Sequence, residues 1–147
     1  IDYPDFEDER KVMRMISTQD IPQIRPVITM DQIVEAKKLI NKIYLDEKIE
    51  NYILDMVFAT RQPEKYDLSD IKNYISFGAS PRASINLAIA SRAHAFIKGR
   101  AFVIPDDVKS IAKDVLRHRI GLSFEAEAEE VTQDQIVDRI LLKIQAP

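Results

Sequence analysis

The stretch SPRASINLAIASRAHAFIKG, residues 80–99, decides how this chain folds. Ser80 is of a residue type that caps helix N-termini, and Pro81 suits the first helical position. Apolar residues, many of them alanine, then cover most of the circumference of a helix as far as Gly99. A helix that is apolar on most sides is typical of the middle of a packed bundle. The stretch therefore predicts a central helix with several close neighbours.

Five further helices are predicted around this stretch, because apolar residues recur three and four positions apart before and after it. Capping boxes at Thr29 with Gln32 and at Thr132 with Gln135 mark the beginnings of two of them. The six predicted helices cover about residues 5–17, 29–43, 46–61, 80–99, 105–119 and 132–144. With only three glycines in the chain, the predicted fold class is all-α, a small helical bundle.

The segments between the helices are predicted as connections. Residues 62–77 are polar and mixed, which is typical of a long surface loop, and such loops are often functional. Residues 101–103 are predicted as a short strand that pairs with residues 122–124. The sequence therefore predicts one helical domain with at most a short two-stranded β pairing.

Composition excludes several function classes. A net charge of −3 argues against bulk binding to nucleic acid, which needs a concentrated basic surface. The basic run at residues 117–119 is expected to close a helix, where cations favour the negative end of the dipole. The chain has no cysteine, which suits the cytoplasm, and its two histidines, His94 and His118, lie too far apart to indicate a metal cluster. No apolar stretch approaches the length of a membrane span.

The residues that carry catalysis in nucleotide enzymes are missing from this sequence. Three scattered glycines cannot build a phosphate-binding loop, and no apolar run ends in paired acids that would hold magnesium. The acids Asp106 and Asp107 stand at a predicted helix start, where the dipole already explains them. Taken alone, the chain is not expected to be an enzyme.

One residue breaks a local rule. Arg82 occupies the first turn of the predicted central helix, where the dipole disfavours a cation by roughly 0.3–1 kcal/mol. A cation there makes sense if an anion binds, since helix N-termini are ready sites for phosphate. The alternative is an exposed arginine whose stem covers apolar surface. Residue pattern leaves both interpretations open.

The segment Gly-Ala-Ser-Pro-Arg-Ala-Ser, residues 78–84, resembles the GASPRA motif of the MoxR-family AAA+ ATPases. The resemblance extends in order and spacing over nearly the whole chain. It includes residues 3–4 (YP), 58–61 (FATR), 92–95 (RAHA), 98–100 (KGR), 103–108 (VIPDDV) and 115–119 (VLRHR). Two positions depart from the family pattern. Ile104 stands where threonine is usual, at a cost of ~1 kcal/mol in helix capping, and Asp2 stands where glycine often precedes Tyr-Pro.

The resemblance implies that residues 5–147 are the helical lid of an AAA+ ATPase and that residues 1–4 end a core, or hinge, that precedes it. Arg82 would be the sensor 2 residue at the terminal phosphate of ATP, with Ala79 and Ser80 also at the nucleotide. The core would carry the phosphate loop, the Mg²⁺ acids and the arginine finger, so this chain alone would bind no cofactor.

The same resemblance implies partners. The complete protein is expected to form a ring, typically a hexamer, and to act on client proteins as a chaperone-like remodeller, often beside partners with von Willebrand factor A domains.

Two alternatives remain open from the sequence. The first is the lid of a magnesium-chelatase-like AAA+ subunit, with similar geometry and a different client. The second is a free-standing, non-enzymatic helical interaction module, with DNA binding through the fifth helix as one form of it. The acidic balance weighs against DNA, and the unexplained Arg82 weighs against a plain scaffold.

Overall fold

A computed structural model describes residues 3–18 and 23–147 of the chain. Asp2, and with it part of the expected hinge at residues 1–4, lies outside the described residues. Seven α-helices are present among the described residues: α1 (Phe6–Ser17), α2 (Met30–Ile40), α3 (Glu47–Ala59), α4 (Pro81–Ile97), α5 (Pro105–Leu116), α6 (Phe124–Ala128) and α7 (Gln133–Lys143). Short 3-10 helices cover Pro63–Tyr66, Ser69–Tyr74 and Arg117–Arg119. The all-α prediction is confirmed.

The chain divides between Ile33 and Val34 into two compact units. In the first unit, the side chain of Asp5 caps α1 by accepting a hydrogen bond from the Asp8 amide at 2.8 Å. No residue of α1 is buried, and its apolar residues Val12, Met13 and Ile16 are exposed.

The core of the second unit is built around α4, as predicted. The buried residues of α4 are spaced by four and so lie on one continuous face of the helix. They are Ala83, Leu87, Ser91 and Ala95. Three of the four are small, so neighbouring helices can approach α4 closely. α5 and α3 pack against it, with Val108 and Met56 among their fully buried side chains. α4 is nevertheless not enclosed on all sides, because Ile97 and other large apolar residues are exposed.

The predicted surface loop at residues 62–77 is wrong in part. This segment contains two 3-10 helices and a strand, β1 (Ile75–Phe77), and Pro63, Leu68 and Ile71 are buried in it. Pieces of 3-10 helix are too short to produce a helical period in the sequence, so periodicity misses them.

The predicted strand pairing has the wrong partner. β1 pairs antiparallel with β2 (Gly121–Leu122), whereas Phe102 forms an isolated parallel bridge with Tyr44. A Cβ on Gly121 would collide with the ring of Phe77, so the absent side chain allows this ring to lie across the pairing. The residues after β2 form α6, a seventh helix that is not among the six predicted.

None of the helices in the described parts of the chain is long and apolar enough to cross a membrane.

Candidate functional site

The start of α4 presents Arg82 to solvent. The residue before the helix, Ser80, has extended backbone angles (φ −73°, ψ 169°), and the first turn contains no acidic residue. Arg82 is exposed, and no salt bridge joins it to any of residues 34–147. The positive end of the helix dipole and a cation without an ion pair to residues 34–147 therefore coincide at one exposed point.

Ser80 occupies the N-cap position but does not act as predicted. Its side chain makes no capping hydrogen bond, so the expected hydroxyl cap is wrong. The first turn is closed instead by the Ala83 amide, which donates to the Ser80 carbonyl oxygen at 2.8 Å, and by the Ser84 hydroxyl, which donates to the Pro81 carbonyl oxygen at 2.9 Å. The exposed Ser80 hydroxyl thus stands near Arg82 without a bond to the helix.

Ala79, the third predicted site residue, lies beneath this surface. It is fully buried. Its amide donates to Thr60 Oγ1 at 2.9 Å, and its carbonyl oxygen accepts from Arg61 Nε at 2.6 Å. Both backbone groups of Ala79 are therefore engaged with the end of α3. In the sequence, Thr60 and Arg61 stand at the predicted end of the third helix and within the family resemblance, and no local pattern indicates that they contact Ala79.

Apolar side chains continue the surface that carries Arg82. Ile85 and Ile89 follow it at helical spacing on the same face of α4, and they are 57% and 52% exposed. A groove of about 280 Å³ between α3 and α4 is lined by Ile85 and by the exposed Leu54. Exposed apolar patches commonly mark interaction sites, so this face of the unit is suited to contact another protein surface.

A buried carboxylate joins the far end of α4 to the start of α5. Asp107 accepts hydrogen bonds from Arg100 at 2.7 and 2.5 Å, from His94 Nδ1 at 2.7 Å and from the Ile104 amide at 2.8 Å. Its side chain is only 1% exposed. The helix dipole accounts for an acid at this position in the sequence, but in the structure Asp107 is also the centre of a hydrogen-bond network. The bond from the Ile104 amide is the half of a capping box that the Asp107 side chain supplies, and the other half, a hydroxyl that accepts from the Asp107 amide, is absent because Ile104 has no such group.

The network controls the pKa of Asp107. Burial raises the pKa of this carboxyl, but the hydrogen bonds from its three partners, foremost Arg100, outweigh burial and lower the pKa from 3.8 to about 2. Because the folded pKa is depressed, the charged carboxylate stabilises the fold above the unfolded pKa, and that contribution is lost as pH falls through the folded value.

We expect an NMR titration of the Asp107 side-chain carboxyl in the folded chain to show a midpoint near pH 2. A shift of this size corresponds to about 2 kcal/mol of folding free energy, present above pH 4 and lost between roughly pH 4 and pH 2. A midpoint for Asp107 at 3.8 or above would contradict the network.

No group of three or more His, Cys, Asp or Glu side chains among residues 3–18 and 23–147 is arranged to hold a metal ion.

Several known proteins are similar to this chain in sequence or structure. A family model described as the AAA lid domain matches residues 68–140. The chaperone MoxR1 of Mycobacterium tuberculosis is 33% identical over the whole of this chain, which covers 39% of that protein. The YeaC protein of Bacillus subtilis is 32% identical over 99% of the chain, which covers 43% of it. The chain thus spans about two fifths of the length of these relatives.

A solved structure is also similar. It is a crystal structure described as a "putative ATPase" from Cytophaga hutchinsonii, with a TM-score of 0.94 and 40% sequence identity, covering all of this chain and 45% of its own. Protein MoxR of Paracoccus denitrificans is 37% identical over 51% of this chain and 23% of its own length. The chain therefore belongs to the AAA lid domains, in the group represented by the MoxR proteins.

Proposed function

We propose that this chain is the lid of a MoxR-type AAA+ ATPase and closes over ATP bound to a core outside this sequence. Residues 5–147 would be the lid, and residues 1–4 would end the core or form the hinge. Two facts support this assignment of the nucleotide site to the core. The chain spans about two fifths of the length of its relatives, and its sequence contains no phosphate loop. ATP and Mg²⁺ would be held mainly by the core.

The main support for the proposal is that Arg82, at the start of α4, is exposed and has no ion pair to residues 34–147. Some exposed basic residues of this unit have acidic partners, such as Lys72, whose Nζ lies 3.5 Å from Glu64. Arg82 lies in the first turn of a long helix, and that turn contains no acidic residue. When bound, ATP supplies a terminal phosphate, an anion that suits a cation beside a helix N-terminus. Arg82 would donate hydrogen bonds to that phosphate and so report whether it is present.

The other two site residues have different roles in this proposal. Ser80 is exposed with an uncapped hydroxyl, so it can donate to the same anion. Ala79 is buried with both backbone groups bonded, so its contribution would be to support the turn. The apolar face with Ile85 and Ile89 would lie against the core when the lid closes.

Lid closure would then transmit the nucleotide state around a ring, which we propose to be a hexamer, and drive chaperone-like remodelling of client proteins in the cytoplasm. The relative MoxR1 is named as a chaperone, which supports this role. Clients or partners with von Willebrand factor A domains fit the MoxR relationship, and that relationship favours this reading over a magnesium-chelatase lid or a free-standing module.

We expect the complete polypeptide, with its core, to hydrolyse ATP and to sediment as a ring, whereas the present chain does neither. The physical reason is that the phosphate loop, Mg²⁺ acids and arginine finger would all lie in the core. ATP turnover and sedimentation velocity at micromolar concentration measure both properties. Hydrolysis by the isolated chain above a mock-purified background, or a stable hexamer of it, would contradict the proposal.

A further inference from the structure

The end of α3 holds the backbone that leads into the Arg82 turn. Thr60 is fully buried, and its hydroxyl donates to the Val57 carbonyl oxygen at 2.6 Å while accepting from the Ala79 amide at 2.9 Å. A hydroxyl has one proton to donate, so the bond to Val57 orients its lone pairs toward Ala79. The hydroxyl therefore makes a directional link between α3 and the residue that precedes Ser80.

Arg61 completes the link from the other side of Ala79. Its Nε donates to the Ala79 carbonyl oxygen at 2.6 Å, and its guanidinium lies 5.0 Å from the centre of the Phe58 ring. Gly78 makes the close approach possible, because a Cβ there would collide with the backbone of Thr60. The side chains of Thr60 and Arg61 thus bond to the amide and to the carbonyl oxygen of Ala79.

These two bonds matter because the turn that follows Ala79 is short and has no side-chain cap. Only Ser80 and Pro81 separate Ala79 from Arg82, and the ring of Pro81 restricts its own φ. The Ser80 side chain contributes no cap. The direction in which α4 starts, and hence the place of the Arg82 side chain, depends on how Ala79 is held.

We infer that Thr60 and Arg61 are positioning residues that place Arg82 for its contact with the terminal phosphate. This inference rests on the proposed function of Arg82. Neither residue needs to touch the nucleotide. Each acts through the Ala79 backbone, so loss of either bond should impair the same step that Arg82 serves and no other.

The first test is Thr60→Val in the complete polypeptide with its core. Valine keeps the shape of threonine but removes the hydroxyl, so the Ala79 amide loses its partner. Small misplacements of a group that acts in the transition state can cost up to about 10²-fold in rate, and we expect about a tenfold fall in kcat with KM changed less than about twofold. Thr60→Ser keeps the hydroxyl and should restore turnover to within about twofold of the wild type.

A double-mutant cycle separates positioning from general stability. If Thr60 acts through Arg82, Thr60→Val causes no further loss of turnover in an Arg82→Ala background, whereas independent effects multiply. Val137→Ala is the matched control, because Val137 is fully buried on α7 and its truncation weakens the core without touching Ala79. At a temperature where all variants are folded, we expect this control to turn over ATP at the wild-type rate.

If Thr60→Val does not fold, the Arg61→Lys variant tests the inference instead. Lysine keeps the positive charge of this partly exposed residue but lacks the Nε donor that bonds to Ala79. The inference is overturned if the folded Thr60→Val and Arg61→Lys variants match the wild type while Arg82→Ala loses turnover; the function of Arg82 then stands. It is also overturned if Thr60→Val lowers ATP turnover by the same factor in the wild-type background and in the Arg82→Ala background. If Arg82→Ala itself retains wild-type turnover, the proposed function and this inference both fail.

Discussion

Arg82→Ala in the complete polypeptide is expected to lower the kcat for ATP hydrolysis by about 10²–10³, roughly 2.7–4 kcal/mol, the usual effect of removing one preorganised donor from a developing charge. The nucleotide-driven movement of the lid should be lost with it, because the cation that distinguishes the two nucleotide states is gone. The fold should survive, since an exposed arginine at a helix start stabilises little and its removal relieves a dipole conflict of about 0.3–1 kcal/mol.

Lys98→Ala is the matched control for this variant. Lys98 is an exposed cation at the C-cap of the same 17-residue helix, roughly 25 Å from Arg82 at ~1.5 Å per residue. The measurements are ATP turnover, melting temperature and the distance between lid and core with and without nucleotide. Wild-type turnover and closure in a folded Arg82→Ala variant would make Arg82 a surface arginine and remove its sensor role.

The largest effect on stability is expected for Asp107→Ala in this chain. Removing one partner of a buried ion pair commonly costs about 3–5 kcal/mol, because the remaining polar groups stay buried without compensation. Arg100 and His94 retain some contact with water, at 25% and 26% side-chain exposure, so we expect a loss near the lower limit, about 3 kcal/mol. The melting temperature of a chain of this size should fall by roughly 10 °C.

Asp106→Ala is the control, because it removes the same charge one residue away. The Asp106 side chain is 80% exposed and lies 3.9 Å from Lys109, and exposed pairs of this kind contribute about 0–1 kcal/mol. Urea unfolding of both variants gives the comparison. Equal losses for the two aspartates would show that the buried network contributes nothing beyond the helix dipole.

The beginnings of the two helices with capping boxes were predictable, because such a box depends on residues three positions apart. The box of Thr132 and Gln135 is present, with the Thr132 amide donating to Gln135 Oε1 at 2.8 Å. Thr29 and Gln32 form the same arrangement, also at 2.8 Å. The exposed cation at the start of α4 was likewise readable from neighbours in the sequence, since Arg82 follows Pro81 directly.

Contacts between distant parts of the chain were not predictable from such patterns. Thr60 reaches Ala79 across 19 positions, and the hydroxyl of Ser123 donates to the Asn73 carbonyl oxygen across 50. The pairing of β1 with β2 was missed for the same reason, because strands of three and two residues carry too little alternation to identify a partner.

Asp107 shows the difference most clearly. Its place in the first turn of α5 follows from local sequence and from the helix dipole. Its burial, its depressed pKa and its bonds to His94 and Arg100 exist only because the packed helices bring the end of α4 against the start of α5. Local hydrogen bonds and dipoles act within one turn of a helix, whereas burial and ion pairing depend on which surfaces the folded chain brings together.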